Sequence, residues 1–212
     1  RMREAATLDP PLPPGVKAEL RPYQVDGFRW IARLAHWAKG ACLADDMGLG
    51  KTLQALVFLA HRAPLGPALV IAPTSVVANW VREAARFTPD LDVRRVLVGG
   101  ALDTAVKDLG PGSIVVTTWD LLVRHERLAH AVPAPDVTAH DDANGPPARP
   151  WATVVFDEAH AMKNAGTKRA QAARALDADF ALALTGTPVE NRPLELWSLF
   201  AVVAPGLLGS LE

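Results

Sequence analysis

Cysteine is almost missing from this chain of 212 residues, in which Cys42 is the only one. A single thiol excludes an internal disulfide framework and suits a reducing compartment. The histidines show neither an HExxH pattern nor a Cys/His zinc spacing, so the sequence predicts no structural metal. There is also no signal-peptide pattern and no apolar run long enough to span a membrane. We therefore expect an intracellular protein, in the cytoplasm or nucleoid of a bacterium or in a eukaryotic nucleus.

The sequence also lacks an excess of charge of either sign. Its 22 Lys and Arg residues nearly balance 23 Asp and Glu residues, which gives a formal net charge of −1. A surface that binds a polyanion must therefore be a local patch rather than the whole molecule. The hydrophobic content of 50% is typical of a globular protein with a sizeable core, and the length fits one large domain or slightly more.

Residues 45–52 have the pattern of a phosphate-binding loop between an apolar run and an apolar-periodic segment. Glycines allow a tight turn that points backbone N–H groups at an anion, and the helix that begins at Lys51 adds its positive dipole end. We expect Lys51 to reach the β- and γ-phosphates and the Thr52 hydroxyl to hold Mg²⁺. The strict pattern has Gly where this chain has Asp45, and a glycine-rich helix start without a ligand is the alternative. The expected nucleotide contacts are Asp45, Asp46, Met47, Gly48, Leu49, Gly50, Lys51 and Thr52.

Strands and helices alternate along the sequence, which predicts an α/β domain with a mostly parallel central sheet and helices on both faces. Residues 1–19 are predicted to be a lead-in or linker, and residues 130–150, rich in proline, a flexible insertion. Two of the predicted helices end near residues 39 and 128. The predicted strands cover residues 41–44, 68–72, 93–98, 114–117, 153–156 and 180–184.

Two further polar segments follow predicted strands directly, and ligands of such sheets bind at the carboxyl ends of the strands. Asp157 is positioned to hold Mg²⁺, and Glu158 to polarise the water that attacks a γ-phosphate. Thr185 and Thr187 follow the last strand, where hydroxyls can also simply cap and turn the backbone. The alternative for Asp157 and Glu158 is an acidic, solvated strand end that binds no ligand.

These segments together resemble the first RecA-like lobe of the Swi/Snf group of superfamily-two helicase-like ATPases. The resemblance covers about residues 20–210, and Asp at position 45 is usual in that group. Asp46 stands where the group usually has Glu, which keeps the charge. The motifs occur in the family's order at residues 20–24, 45–52, 69–80, 116–119, 156–164 and 184–191.

The resemblance implies roles that the residue types alone do not. Gln24 would read the adenine, while His160, Thr185, Gly186 and Thr187 would couple the γ-phosphate state to the grip on DNA. Lys and Arg residues near these motifs would add positive charge to the grip on DNA, although each of them alone is more typical of a solvated helix face. The residues that would line the DNA path are Pro73, Thr74, Asn79, Trp80, Thr117, Thr118, Lys163 and Asn164.

The resemblance also implies an activity, namely an ATP hydrolase with ATP and Mg²⁺ as cofactors that translocates on double-stranded DNA. Its second RecA-like lobe, which carries an arginine finger, would be another part of the same full-length protein. This finger contributes several orders of magnitude to turnover in related enzymes, so the present lobe alone is expected to be nearly inactive. The alternatives are a strand-separating DEAH-type helicase and a non-catalytic nucleotide-binding interaction module.

Overall fold

One parallel sheet forms the centre of the computed structural model, which describes residues 2–97, 102–125, 128, 150–187 and 193–209. Its strand order is β1-β6-β5-β2-β4-β3, and every neighbouring pair is parallel. The α/β class and the parallel sheet are thereby confirmed. The strands are β1 (Gly40–Leu43), β2 (Ala68–Ala72), β3 (Asp92–Arg95), β4 (Ser113–Thr118), β5 (Thr153–Phe156) and β6 (Ala181–Leu184).

Helices cover both faces of this sheet. Side chains of α2, α3 and α4 belong to one buried cluster, and side chains of α6, α7 and α8 belong to another. No helix of the described part is both long and apolar enough to cross a membrane. The helices are α1 (Met2–Thr7), α2 (Pro22–Leu34), α3 (Lys51–Arg62), α4 (Thr74–Phe87), α5 (Leu102–Ala105), α6 (Trp119–Arg124), α7 (Lys168–Arg174) and α8 (Pro193–Val203), with short 3-10 helices at Ala63–Leu65 and Ala159–Met162.

The apolar strands are buried because both of their faces pack against helices. In β2, Leu69 and Ile71 face one cluster, whereas Val70 and Ala72 face the other. A strand that is covered on both sides needs a continuous apolar run, and this explains why such runs located the central strands. β3 carries Asp and Arg residues, is largely accessible and lies at the edge, where charge discourages pairing with another chain.

The structure differs from the predicted boundaries mainly where elements end. The helix predicted to reach residue 39 ends at Leu34, because the amides of His36 and Trp37 turn back to carbonyls three residues earlier. Trp37 N, for example, donates to Leu34 O at 3.1 Å. Likewise α6 ends at Arg124 rather than near residue 128. The predicted insertion at residues 130–150 lies outside the described residues, apart from its last one.

The predicted lead-in contacts the rest of the domain. Arg33 Nε donates to Leu8 O at 2.6 Å, and Arg29 Nε lies 3.0 Å from Asp9 Oδ1. Further along, the Lys17 N–H donates to the carbonyl of Phe87, at the end of α4. In the described part, this segment is therefore attached to the domain through contacts with α2 and α4. A domain boundary near residue 20 stays a prediction.

Gly40 is the residue of β1 whose replacement should reveal how closely α8 packs on the sheet. A Cβ atom at this position would lie 2.0 Å from Val203 O and 2.4 Å from Ala181 O, and both are backbone atoms that cannot rotate away. We expect Gly40→Ala to lower the free energy of unfolding in urea by about 1–3 kcal/mol. Gly110→Ala is the matched control, because nothing lies within 4 Å of its added Cβ atom. Equal losses in the two variants would contradict this packing.

Candidate active site

The loops that follow β1, β6 and β5 lie side by side, because these three parallel strands are neighbours in the sheet. The Thr185 N–H donates to Leu43 O at 3.1 Å, which ties the end of β6 to the end of β1. A Cβ atom added at Gly186 would lie 3.3 Å from Met47 Cγ and 3.9 Å from Asp45 O. Two of the three segments predicted to meet at this edge are therefore in direct contact.

The loop before α3 has the backbone that its glycines allow. Gly48 and Gly50 have φ values of 83° and 76°, in the left-handed region that favours glycine. Lys51 is the first residue of α3, as predicted, and its Nζ donates to Asp45 O at 2.7 Å and to Asp46 O at 2.9 Å. The ammonium group therefore lies within the loop, at the positive end of a helix, where an anion would be stabilised.

Two side chains of α2 hold the middle of this loop. Tyr23 Oη and Gln24 Nε2 both donate to the Leu49 carbonyl, at 3.2 and 3.1 Å. Gln24 Oε1 also accepts a hydrogen bond from Arg21 N at 2.9 Å. Gln24 is thus next to the loop, where an adenine reader would have to be. Tyr23 shares its carbonyl partner, which no sequence pattern indicated.

Gln54 is a residue of this site that sequence reasoning missed. It is fully buried in α3, and its Nε2 donates to Asp45 Oδ2 at 3.1 Å. This bond holds the carboxylate that stands where the strict phosphate-loop pattern has glycine. A signal was present, since Gln54 is the only polar residue in the apolar stretch 53–59.

Asp157 is held at the end of β5 by three N–H donors. Trp80 Nε1 donates to Oδ2 at 2.7 Å, the Glu158 N–H donates to Oδ1 at 2.9 Å, and Trp119 Nε1 donates to the backbone carbonyl at 3.1 Å. The side chain is only 8% exposed, and this burial raises the pKa of Asp157 above the usual carboxyl value. The two hydrogen bonds to the carboxylate and the nearby Lys51 charge oppose that rise in pKa.

Glu158 comes directly after Asp157 but has a different conformation and environment. Its φ value of 49° is left-handed, an uncommon conformation for a residue with a side chain. Its carboxylate is partly exposed, with Oε2 3.2 Å from His160 Nδ1. The two adjacent carboxylates thus have separate environments, one buried and hydrogen-bonded and the other accessible beside an imidazole.

Three residues predicted to line a nucleic-acid path do not reach the surface. Trp80 is 1% exposed because its indole packs in the core and donates to Asp157. Thr117 is fully buried in β4, and its hydroxyl donates to Val96 O. The Thr118 hydroxyl accepts from Leu121 N and caps α6. The side chains of these three residues are therefore not accessible to a ligand, and a place of their backbone on the DNA path stays a prediction.

The other residues predicted for that path are accessible, at the ends of β2 and β5. Thr74 and Asn164 are exposed, and Pro73, Asn79 and Lys163 are partly so. Close by, a basic groove of about 390 Å³ lies between α6 and α7. Its lining includes Arg124, Lys168 and Arg169, the last of which pairs with Asp120 at 3.0 Å.

The residues predicted to hold Mg²⁺ are compatible with that ion only together with other ligands. Across the described residues, no group of three or more His, Cys, Asp or Glu side chains could hold a metal by itself. Thr52, the second residue of α3, and Asp157 offer hard oxygen donors of the kind that Mg²⁺ prefers. A Mg²⁺ site of two protein ligands completed by phosphate and water oxygens fits this donor set.

Cys42 lies in β1, just before the loop. Burial raises the pKa of its thiol to about 11, so the thiolate that would act as a nucleophile is scarce at neutral pH. The prediction of an inert buried thiol agrees with this shift.

Comparison with known proteins assigns the chain and its fold to a family. A family model described as the SNF2-related domain matches residues 23–212, and the chain therefore belongs to this family. The RecA-like fold and the predicted family membership are confirmed by a solved structure, a Sulfolobus solfataricus SWI2/SNF2 ATPase core in complex with dsDNA. That structure has a TM-score of 0.76 and 38% identity, over 93% of this chain and 38% of the other.

Two relatives show how much of a longer protein this chain resembles. YwqA of Bacillus subtilis (strain 168) is 41% identical over 202 residues, which are 93% of this chain and 20% of YwqA. The chromatin-remodeling ATPase INO80 of Arabidopsis thaliana is 34% identical over 206 residues, which are 90% of this chain and 12% of INO80. The chain thus spans a fifth or less of these curated relatives.

Proposed function

We propose that this chain is the ATP-binding lobe of a double-stranded-DNA-translocating ATPase, which couples ATP hydrolysis to movement along DNA. The observation that carries the proposal is the contact between the Lys51 loop, which follows β1, and Gly186, which follows β6. β6 also pairs with β5, the strand that Asp157 follows. A relative named as a chromatin-remodeling ATPase and a solved family member in complex with dsDNA support it.

ATP would bind in the loop before α3. Lys51 Nζ, which already has two carbonyl partners, would exchange them for phosphate oxygens, and the N–H groups at Gly48 and Gly50 would complete the cradle. Thr52 and Asp157 would hold Mg²⁺, which neutralises phosphate charge when it is bound. Gln24 would read the adenine from its place beside Leu49.

Glu158 would accept the proton of the attacking water, because its carboxylate is more accessible than that of Asp157. His160, 3.2 Å from Glu158, would orient this carboxylate and help couple the γ-phosphate state to the grip on DNA. Thr185, Gly186 and Thr187, of which Gly186 lies against the phosphate loop, would couple the presence of a γ-phosphate to the position of the neighbouring lobe.

DNA would lie over the remaining half of the same edge, where β2 and β4 end. Pro73 before α4, Thr74 and Asn79 on α4, and the groove between α6 and α7 are accessible there. Contacts to phosphate from such residues carry no base information, so the grip would not depend on sequence. A strand-separating helicase would use the same ATP site, and a preference for duplex over single strands distinguishes the two functions.

The first test separates ATP binding from turnover. Lys51→Ala should weaken ATP–Mg²⁺ binding by about 10- to 100-fold, because a charged hydrogen-bond donor to phosphate is worth about 1.5–3 kcal/mol. Glu158→Gln should bind normally and lose turnover, because only the proton acceptor is removed. Calorimetry on this chain measures binding, and steady-state hydrolysis is measured on the two-lobed protein.

Lys17→Ala is the matched control for the lysine variant, since Lys17 is exposed and its segment contacts the far end of α4. Unchanged ATP affinity in Lys51→Ala would contradict the proposed phosphate cradle. Normal hydrolysis by Glu158→Gln would rule out its role as the proton acceptor.

The second test concerns the basic groove. The double variant Arg124→Ala/Lys168→Ala should bind duplex DNA more weakly whatever its sequence, and the slope of log K against log salt should fall by about 1 for each lost phosphate contact. Fluorescence anisotropy with duplex, single-stranded DNA and RNA measures both quantities. Lys107→Ala, an exposed lysine before β4, should leave the slope unchanged. An unaltered slope in the double variant, or tighter binding of RNA than of duplex, would contradict the proposal.

A further inference from the structure

The hydrogen bond from Trp80 to Asp157 joins two buried residues that are 77 positions apart in the sequence. Trp80 is 1% exposed in α4, and Asp157 is 8% exposed at the end of β5. The distance of 2.7 Å from Nε1 to Oδ2 is at the short end of the range for an N–H donor to a carboxylate oxygen. Burying a carboxylate or an indole N–H without a hydrogen-bond partner costs free energy, so this bond stabilises both buried groups.

Both carboxylate oxygens of Asp157 are held, and each by a different donor. Oδ1 accepts from the Glu158 N–H and Oδ2 accepts from Trp80 Nε1, so rotation of the carboxylate would break one bond or both. An ionised carboxylate has about four lone-pair sites, so two remain for a metal or its water ligands. The two bonds thus fix the direction in which the free lone pairs point.

The two tryptophans at this strand end have different tasks. Trp119 stacks on Phe156, with ring centroids 5.7 Å apart, and donates to the backbone carbonyl of Asp157. Trp80 lies in the core cluster of the opposite face and donates to the side chain. Trp119 therefore holds the backbone of the strand end, and Trp80 alone of the two controls the carboxylate.

We propose that Trp80 is a positioning residue that fixes the Asp157 carboxylate in the orientation that receives Mg²⁺ with a bound nucleotide. The inference rests on the proposed nucleotide function. Groups that orient a metal ligand commonly change metal affinity by 10- to 100-fold when they are removed. Because α4 also carries Thr74 and Asn79, the same helix connects the proposed DNA side of the edge to the metal ligand.

The test uses Trp80→Phe, which keeps an aromatic ring in the core and deletes the N–H donor. Calorimetry gives the affinity of this chain for ADP with Mg²⁺ and with EDTA. We expect the enhancement of ADP binding by Mg²⁺ to fall by about 10-fold, with Mg²⁺-free binding unchanged. Trp151→Phe is the matched control, because its equally buried Nε1 donates to Leu128 O at 3.0 Å, at the other end of β5. It should lose similar stability and keep the full Mg²⁺ enhancement.

A double-mutant cycle distinguishes positioning from a general structural effect. Asp157→Ala should abolish the Mg²⁺ enhancement, and adding Trp80→Phe to it should change nothing further. A weaker affinity for ADP with Mg²⁺ in the double variant than in Asp157→Ala, or a Mg²⁺ enhancement in Trp80→Phe equal to that of the unaltered chain, would overturn the inference while the proposed function stands. Failure of the unaltered chain to bind ADP in either condition would overturn both.

A spectroscopic measurement keeps the inference testable if Trp80→Phe does not fold. In the unaltered chain, the Trp80 indole N–H resonance in a ¹H–¹⁵N spectrum should shift when Mg²⁺ is added to the ADP complex, because its acceptor then gains a metal neighbour. The Trp151 indole resonance should not move. Equal behaviour of the two resonances would overturn the inference.

Discussion

The pairing of β6 between β1 and β5 is the constraint on which the candidate site depends. Parallel strands bring their carboxyl ends to one edge, and this order makes the loop before α3, Asp157–Glu158 and Thr185–Thr187 neighbours, although more than 130 residues separate the loop from Thr185. The register Leu43↔Leu184 and Phe156↔Ala183 aligns the three strand ends to within a residue. A slip of one residue would turn every side chain to the other face and misalign these ends.

Asp157 lies at the middle of this edge, between the strands proposed to serve ATP and those proposed to serve DNA. Its burial raises its pKa, and the N–H donors from Trp80 and Glu158 oppose this rise and favour the charged form. One of those donors belongs to α4, the helix that follows β2, and Trp119 belongs to the helix that follows β4. The buried carboxylate is thus held by elements of the second half of the edge as well as by its own strand.

Local patterns predicted the parts of this structure that local physics determines. The glycines and Lys51 defined a loop and a helix start, and continuous apolar runs located β2, β4 and β5, because both requirements act within a few residues. The burial of Trp80 and Thr117 was not predictable in this way. A motif shows which residue types occur together, whereas burial depends on how α4 and β3 pack on the sheet. Helix ends were also missed, since a tightened last turn leaves little trace in composition.

The central claim is that three separate strand ends form a single nucleotide site, and hydrogen–deuterium exchange tests it directly. Amide exchange of this chain would be followed by mass spectrometry with and without saturating ATP and Mg²⁺. The account predicts that residues 45–52, 157–160 and 185–187 all become protected, while β3 (Asp92–Arg95) exchanges as before. Protection confined to one of the three segments, or no protection at all, would contradict the account.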